Sequence, residues 1–319
     1  MIGTDIRYAK ELLLNNQLVA IPTETVYGLA ANALSEESIL KIFITKNRPA
    51  FDPLIVHVGN IDEISRYVLN FPLKAKLLAD NFMPGPLTLL LPKKALIPDL
   101  VSSGLLHVAI RIPKHQMSLD LLNSLDFPLA APSANPFGYV SPTTARHVED
   151  QLGDKIPYIL DGGTCSIGIE STIIGFDTNP PTIYRMGGIG IEQIESVIGK
   201  VNVLLHSTSN PKSAGMLKSH YAPRKKVIIG NIVELLKQHP SELTGILSFS
   251  DNYDYPFQVV LSPAGDIHEA ARNLFAGLRR LDEMPITTIL TELVPDVLIG
   301  RAINDRLKRA AATEKDAEL

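Results

Sequence analysis

The sequence predicts an α/β protein: an open, twisted mixed sheet with flanking helices and a basic concave pocket, followed by a second, smaller α/β domain. Three observations carry this. Strand-length apolar runs alternate with segments of helical period through the first 200 residues. Two neighbouring runs, 171–176 and 182–184, have no helix between them, so the sheet is expected to be mixed rather than purely parallel. A stretch rich in Ser, Asn, Pro and Gly, 206–219, reads as linker, and a new α/β alternation begins after it. The expected division is 1–200, a linker 201–224 carrying His220-Tyr221-Ala222-Pro223, and 225–319.

In chain order, Ile6, Ala9, Leu12 and Leu13 recur at helical spacing, and Asn15-Asn16 closes that helix. The apolar run 18–21 reads as a strand buried on both faces. It stops at Pro22 and hands the chain to a hydroxyl-rich turn with Thr23, Glu24, Thr25, Tyr27 and Gly28. Ser35 is the expected cap of the next helix, with Glu36 and Glu37 in its first turn, where the helix dipole favours acids. Ile39, Leu40, Ile42 and Phe43 give that helix an inward face, and it ends in Lys46-Asn47-Arg48-Pro49. A strand at 54–58 contains His57; helices are expected at 61–68, 73–82, 114–125 and 191–198, and strands at 87–91 and 108–112. Pro84-Gly85-Pro86 is a turn. A short strand, 129–131, precedes Pro132-Ser133-Ala134-Asn135, and Ser141-Pro142-Thr143 starts a helix over 143–152. Strands at 158–161, 171–176 and 182–184 bring the first sheet to seven or eight strands. In the second domain, strands at 227–229, 245–249, 257–261 and 288–290 alternate with helices at 232–238 and 302–311. Ile267, Ala271, Leu274, Leu278 and Leu281 mark a further helix, and 313–319 are expected to fray.

Composition narrows the function. A net charge of -4 provides no global field for nucleic acid or anionic membrane, so any polyanion must meet a local basic cluster. One cysteine, Cys165, excludes an internal disulfide and a cysteine metal cluster, and fits a reducing cytoplasm. With no secretory apolar region at the start and no apolar run of membrane-spanning length, a soluble cytoplasmic protein without a membrane partner is expected. HExxH, CxxC, GxSxG, GxxxxGK[ST] and GxGxxG are all missing, so no protein-caged metal is expected, and a bound nucleotide must be held by scattered basic and hydroxyl side chains.

Such groups recur at strand and helix ends: Lys46, Arg48, Arg111, Ser133, Asn135, Ser141, Thr143, Ser171, Thr172 and Arg185. Lys46 and Arg48 serve equally well to offset a helix C-terminus, and Ser141-Pro142-Thr143 as a cap. Arg111 within an apolar strand requires an anion. His57 in a strand is more often a satisfied core histidine than a ligand. Glu24 reads as a solvated turn residue before a general base, and Cys165 as inert. Together the groups form a polar, net basic rim on one sheet.

The stretches that carry them resemble the YrdC family over residues 6–200. PTETVYGLAA, Lys46-Asn47-Arg48-Pro49 (with Asn47 where the family has glycine), PLIVHV, PGPLTLLL, VAIRIP, APSAN, SPTTA, ESTII and YRMGGI occur in the family's order. HYAPR after a linker resembles the family's two-domain form, in which a Rossmann-like α/β domain follows; Ser213-Ala214-Gly215-Met216 stands where that form has Ser-Pro-Gly-Met. The resemblance implies a YrdC-like fold and a nucleotidyltransferase. L-threonine, bicarbonate or CO2, and ATP would give L-threonylcarbamoyladenylate and pyrophosphate, for the machinery that transfers the threonylcarbamoyl group to tRNA. It assigns threonine to Thr25, His57, Arg111, Ser133 and Ser171. It assigns ATP to Lys46, Arg48, Asp52, Asn135, Ser141, Thr143, Arg185 and Tyr221. Lys46, Arg48 and Arg111 are the expected catalytic cations, Mg2+ rides on the ATP phosphates, and the Tyr221 linker is expected to cover the mouth. Two other readings stand beside it: a non-catalytic protein gripping double-stranded RNA or tRNA in the same concavity, and a former of carbamoyl-adenylate.

Overall fold

The computed structural model describes residues 1–204, 221–239 and 241–312. Most of the expected linker, including His220 and Ser213-Ala214-Gly215-Met216, and the tail 313–319 lie outside the described residues. The first sheet contains β1 (Ile2–Gly3), β2 (Val19–Ile21), β3 (Gly28–Asn32), β4 (Ile55–His57), β5 (Leu87–Pro92), β6 (His107–Arg111), β7 (Leu129–Ala130), β8 (Tyr158–Leu160), β9 (Thr172–Gly175), β10 (Thr182–Arg185) and β11 (Asn202–Val203). Their order is β1-β8-β2-β3-β7-β4-β6-β5-β9-β10-β11. The sheet is mixed, as expected: β9 and β10 pair antiparallel, whereas β4 and β6 pair parallel with His57 beside Arg111.

Among the described residues it has eleven strands rather than seven or eight. The three additions are β1, β3 and β11. β1 and β11 are two-residue edge strands, too short to show a period. β3 is GLAAN, whose small residues carry little strand propensity. It forms because the 22–27 turn folds the chain back on β2, pairing Ile21 with Gly28. This hairpin, rather than a strand leading straight into a helix, places the hydroxyl-rich turn at the ends of two interior strands.

Helix Glu36–Lys46 is capped as expected, the Ser35 side chain accepting the Ser38 N–H at 3.3 Å. Ile39, Ile42 and Phe43 are buried, but Leu40 faces solvent. Asn47 ends this helix in the left-handed region at φ 52, which asparagine tolerates better than most residues and where a glycine serves equally. Helix Ala145–Leu152 is capped by Thr144, not by Ser141 or Thr143, which are buried instead. A four-residue helix, Asp99–Ser102, has no counterpart in the sequence pattern.

The second sheet, β12 (Lys226–Ile229), β13 (Thr244–Ser248), β14 (Gln258–Val260) and β15 (Thr288–Thr291), is parallel in the order β12-β15-β13-β14. Helices Ile267–Glu283 and Gly300–Ala311 turn toward the first sheet. Val26, Val140 and Ile169 join Tyr221, Leu274, Phe275, Leu278 and Ile303 in one apolar cluster. Arg279 strengthens the contact by donating to the carbonyls of Val140 and Ser141. The C-terminal helices therefore pack against the first domain beside Val26 and Tyr221.

Candidate active site

The first domain and Tyr221 form a cavity bounded by the β2–β3 turn, the ends of β4, β6 and β10, Arg48, the 131–133 segment and Glu170. Thr23 builds the turn. Its Oγ1 accepts the N–H groups of Thr25 and Val26, each at 3.2 Å, and stands 2.8 Å from Thr25 Oγ1. Two hydroxyls are thus fixed at the cavity wall.

At the end of β6 the buried Arg111 guanidinium meets Glu24, Nη2 to Oε1, at 2.7 Å. Glu24 Oε2 accepts the Lys114 N–H at 3.0 Å. Glu24 is therefore not a solvated turn residue. The hairpin carries it inward, and it supplies the anion that Arg111 requires. His57 lies one strand over, its Nδ1 3.2 Å from the Ile55 carbonyl. Burial, reinforced by the Arg111 charge, pushes its pKa down to about 3, so the ring is neutral.

The other half of the wall is cationic. Arg48 donates to the carbonyls of Asp52 and Pro53 and pairs with the Asp52 carboxylate at 2.9 Å. Its guanidinium carbon also stands 5.8 Å from the Phe137 ring centre. Burial lowers the Arg48 pKa and raises that of Asp52, each opposed by the partner's charge. Lys46 is fully buried, its Nζ donating to the carbonyls of Ser133, at 2.6 Å, and Asn135. Burial and the nearby Arg48 push its amine well down. Rather than merely offsetting a helix terminus, it clamps the turn that presents Ser133. Arg185 holds Ser171, Nε to the carbonyl and Nη2 to the hydroxyl, both at 2.9 Å.

The structure brings together Thr25, Arg48, His57, Arg111, Ser133, Arg185 and Tyr221, all on the lining. Lys46, Asp52, Asn135, Ser141, Thr143 and Ser171 stand one layer behind it. Asn135 donates to the carbonyls of Pro136 and Tyr139, Ser141 to Glu170, and Thr143 Oγ1 lies 3.3 Å from His147 Nδ1. Sequence reasoning missed Glu170 and Arg306. Glu170 was legible as an acid directly before a buried strand. Arg306 was not, because helix Gly300–Ala311 is rich in charge and reads as a surface helix although this arginine is fully buried. Cys165 is buried, and burial pushes its thiol up to about 12, as an inert cysteine requires.

Two family models match the chain. The Sua5/YciO/YrdC model, described as "Telomere recombination", matches residues 11–187, and "Threonylcarbamoyl-AMP synthase, C-terminal domain" matches 189–312. The chain is 40% identical to a threonylcarbamoyl-AMP synthase of Pyrococcus abyssi, over 96% of this chain and 94% of that protein. It is also 40% identical to one of Bacillus subtilis, over 96% and 92% of the two chains. The crystal structure of P. abyssi Sua5 complexed with L-threonine superposes with a TM-score of 0.92 at 37% identity, covering 98% of this chain and 97% of that one. Both domains, in one order and over nearly the full length, place this chain in the Sua5/YciO/YrdC family, as a member of its two-domain threonylcarbamoyl-AMP synthases, which are transferases.

Proposed function

We propose that this cavity holds L-threonine and Mg-ATP side by side and joins them, through bicarbonate or CO2, into L-threonylcarbamoyladenylate. The carrying observation is that neutral hydroxyl and imidazole groups (Thr25, Ser133, His57) and the arginines Arg48, Arg111 and Arg185 line one enclosure. We assign threonine to Thr25, His57, Arg111 and Ser133, and the nucleotide to Arg48, Arg185 and Tyr221. Lys46, Asp52, Asn135, Ser141, Thr143 and Ser171 shape those groups from behind. The L-threonine complex of P. abyssi Sua5, alike over nearly the whole chain, supports the first half of this assignment.

The chemistry suits such a site. Threonine's amine, in its neutral form, attacks CO2 and loses a proton to bicarbonate or water, leaving a carbamate that is already an anionic nucleophile. Its oxygen attacks the α-phosphorus, the bond from that phosphorus to the bridging oxygen breaks, and pyrophosphate leaves with the electron pair. No strong general base is needed, in accord with a neutral His57 and a Glu24 paired to Arg111. Arg111 orients the amino-acid half, while Arg48 and Arg185 offset phosphate charge. This is catalysis by positioning and fixed electrostatics.

Mg2+ enters as part of the nucleotide substrate. Glu24, Asp52 and Glu170, the carboxylates at the cavity, each already face a guanidinium. The phosphate oxygens are its natural ligands. Carbamate and mixed anhydride are both destroyed by water. Tyr221, buried at the wall, is the group we assign to exclude it. The product goes to a tRNA threonylcarbamoyl transferase. A reducing cytoplasm is the proposed setting, on the single cysteine; among the described residues no helix is long and apolar enough to cross a membrane.

ATP–pyrophosphate exchange tests the proposal. Exchange that requires both threonine and bicarbonate is expected; exchange that needs neither, or none at all alongside salt-sensitive RNA affinity, contradicts it.

A further inference from the structure

Helix Gly300–Ala311 of the C-terminal domain reaches the cavity wall with a buried cation. Arg306, fully buried, donates from Nε to Glu170 Oε2 at 2.9 Å and from Nη1 to Asp305 Oδ2 at 2.8 Å. Its guanidinium carbon stands 5.1 Å from the centre of the Tyr221 ring. Asp305 accepts a second arginine, Arg309, at 2.9 Å. Glu170 and Tyr221 both line the cavity, and the other Glu170 oxygen accepts the Ser141 hydroxyl at 2.6 Å. An unbroken polar chain thus runs from the C-terminal helix to the site. Arg306 Nη2, moreover, is buried without a hydrogen-bond partner. An apolar side chain of similar volume would escape that cost and the desolvation of a buried ion, so packing alone does not account for Arg306.

We propose that Arg306 is a positioning residue of the reaction, fixing Glu170 and the Tyr221 ring at the nucleotide half of the cavity and so making the C-terminal domain part of the active site. The inference rests on reading the cavity as the site for ATP. It acts through geometry as well as charge: the guanidinium forks to two carboxylates while lying against an aromatic ring. A lysine keeps the charge and loses the fork.

The test compares the full-length chain with Arg306→Lys, Arg306→Met and the double variant Glu170→Gln/Arg306→Met. Four quantities are read: melting temperature, Mg-ATP affinity by calorimetry, threonine affinity, and adenylate formed per ATP consumed. Arg306→Lys is expected to weaken Mg-ATP about tenfold and threonine less than about twofold, and to lower the yield of adenylate per ATP. That ratio does not depend on the fraction of chains folded. The double variant, which leaves no unpaired carboxylate facing the lost arginine, is expected to regain most of the melting temperature lost in Arg306→Met, yet to keep the weak Mg-ATP binding. Recovery of Mg-ATP affinity together with melting temperature would overturn the proposal, as would equal losses of both ligands in Arg306→Lys. A wild-type chain that binds Mg-ATP but makes no adenylate would refute the activity reading, and the calorimetric comparison of the variants would still decide the role of Arg306.

Discussion

Arg111 and Glu24 form a buried ion pair, 2.7 Å from Nη2 to Oε1, between the end of β6 and the hydroxyl-rich turn. The pair, together with Nε donating to the Gly85 carbonyl at 3.3 Å, fixes a guanidinium at the cavity wall. Arg111→Ala is expected to weaken threonine by about 2–3 kcal/mol and ATP far less, whereas Arg185→Ala is expected to do the reverse. Calorimetry with each ligand decides this, and equal losses would contradict the division of the cavity. Because Arg111→Ala also strands the Glu24 carboxylate, urea unfolding is expected to show a loss of about 3 kcal/mol.

His57 gives a pH signature. Its folded pKa is about 3, lowered by burial and by Arg111, against an ordinary value near 6.5. Between those values the unfolded chain binds a proton at this histidine that the folded chain does not. Its contribution to stability is therefore whole above about pH 6.5 and is lost as pH falls toward 3, by about 1.4 kcal/mol per pH unit. His57→Gln is expected to flatten the acid limb of a urea-derived stability curve by one such increment. An unchanged slope would mean that the ring is accessible to protons in the folded state.

Lys46 holds the carbonyls of Ser133 and Asn135. Lys46→Met is expected to release that turn, lowering the melting temperature and weakening both ligands, since Ser133 and Arg48 lie on the same wall. Lys46→Arg is expected to do nearly the same, because a planar fork does not replace a compact ammonium between two carbonyls. Full activity in the arginine variant would show that only the charge matters.

Gly168 seats the two domains. Its φ is +79°, and a Cβ there would meet the backbone of Arg272 on helix Ile267–Glu283. Gly168→Val is expected to push that helix away from the cavity, cutting adenylate yield more than threonine affinity, with a larger radius of gyration in solution scattering. Unchanged dimensions with unchanged yield would contradict the close seating.

Much of this was legible before any coordinates. Apolar runs marked β2, β4, β5, β6 and β9, and the Ser35 cap and the ends of helix Ile191–Ile198 could be read directly. The missing helix between β9 and β10 announced the mixed sheet. β3 escaped because small residues form a strand only when a hairpin supplies the partner, a tertiary effect. Arg48, Arg111, Ser133 and Arg185 were found as polar groups at strand and helix ends, whereas Thr25 and His57 gained a site role only from the family resemblance. Their relation to one another was not legible: that Glu24 would answer Arg111, or that Lys46 would turn inward to two carbonyls, depends on which strands become neighbours. Arg306 lay furthest from view, since a charged helix does not disclose which of its arginines is buried.

The central claim is that one enclosure joins an amino acid to a nucleotide. Mass spectrometry of the products made from threonine, bicarbonate, ATP and Mg2+ tests it most directly. The account predicts a species with the mass of threonylcarbamoyl-adenylate that gains one mass unit with 13C-bicarbonate and disappears when threonine is omitted. Formation of ADP or AMP alone, with no labelled adduct, would contradict it.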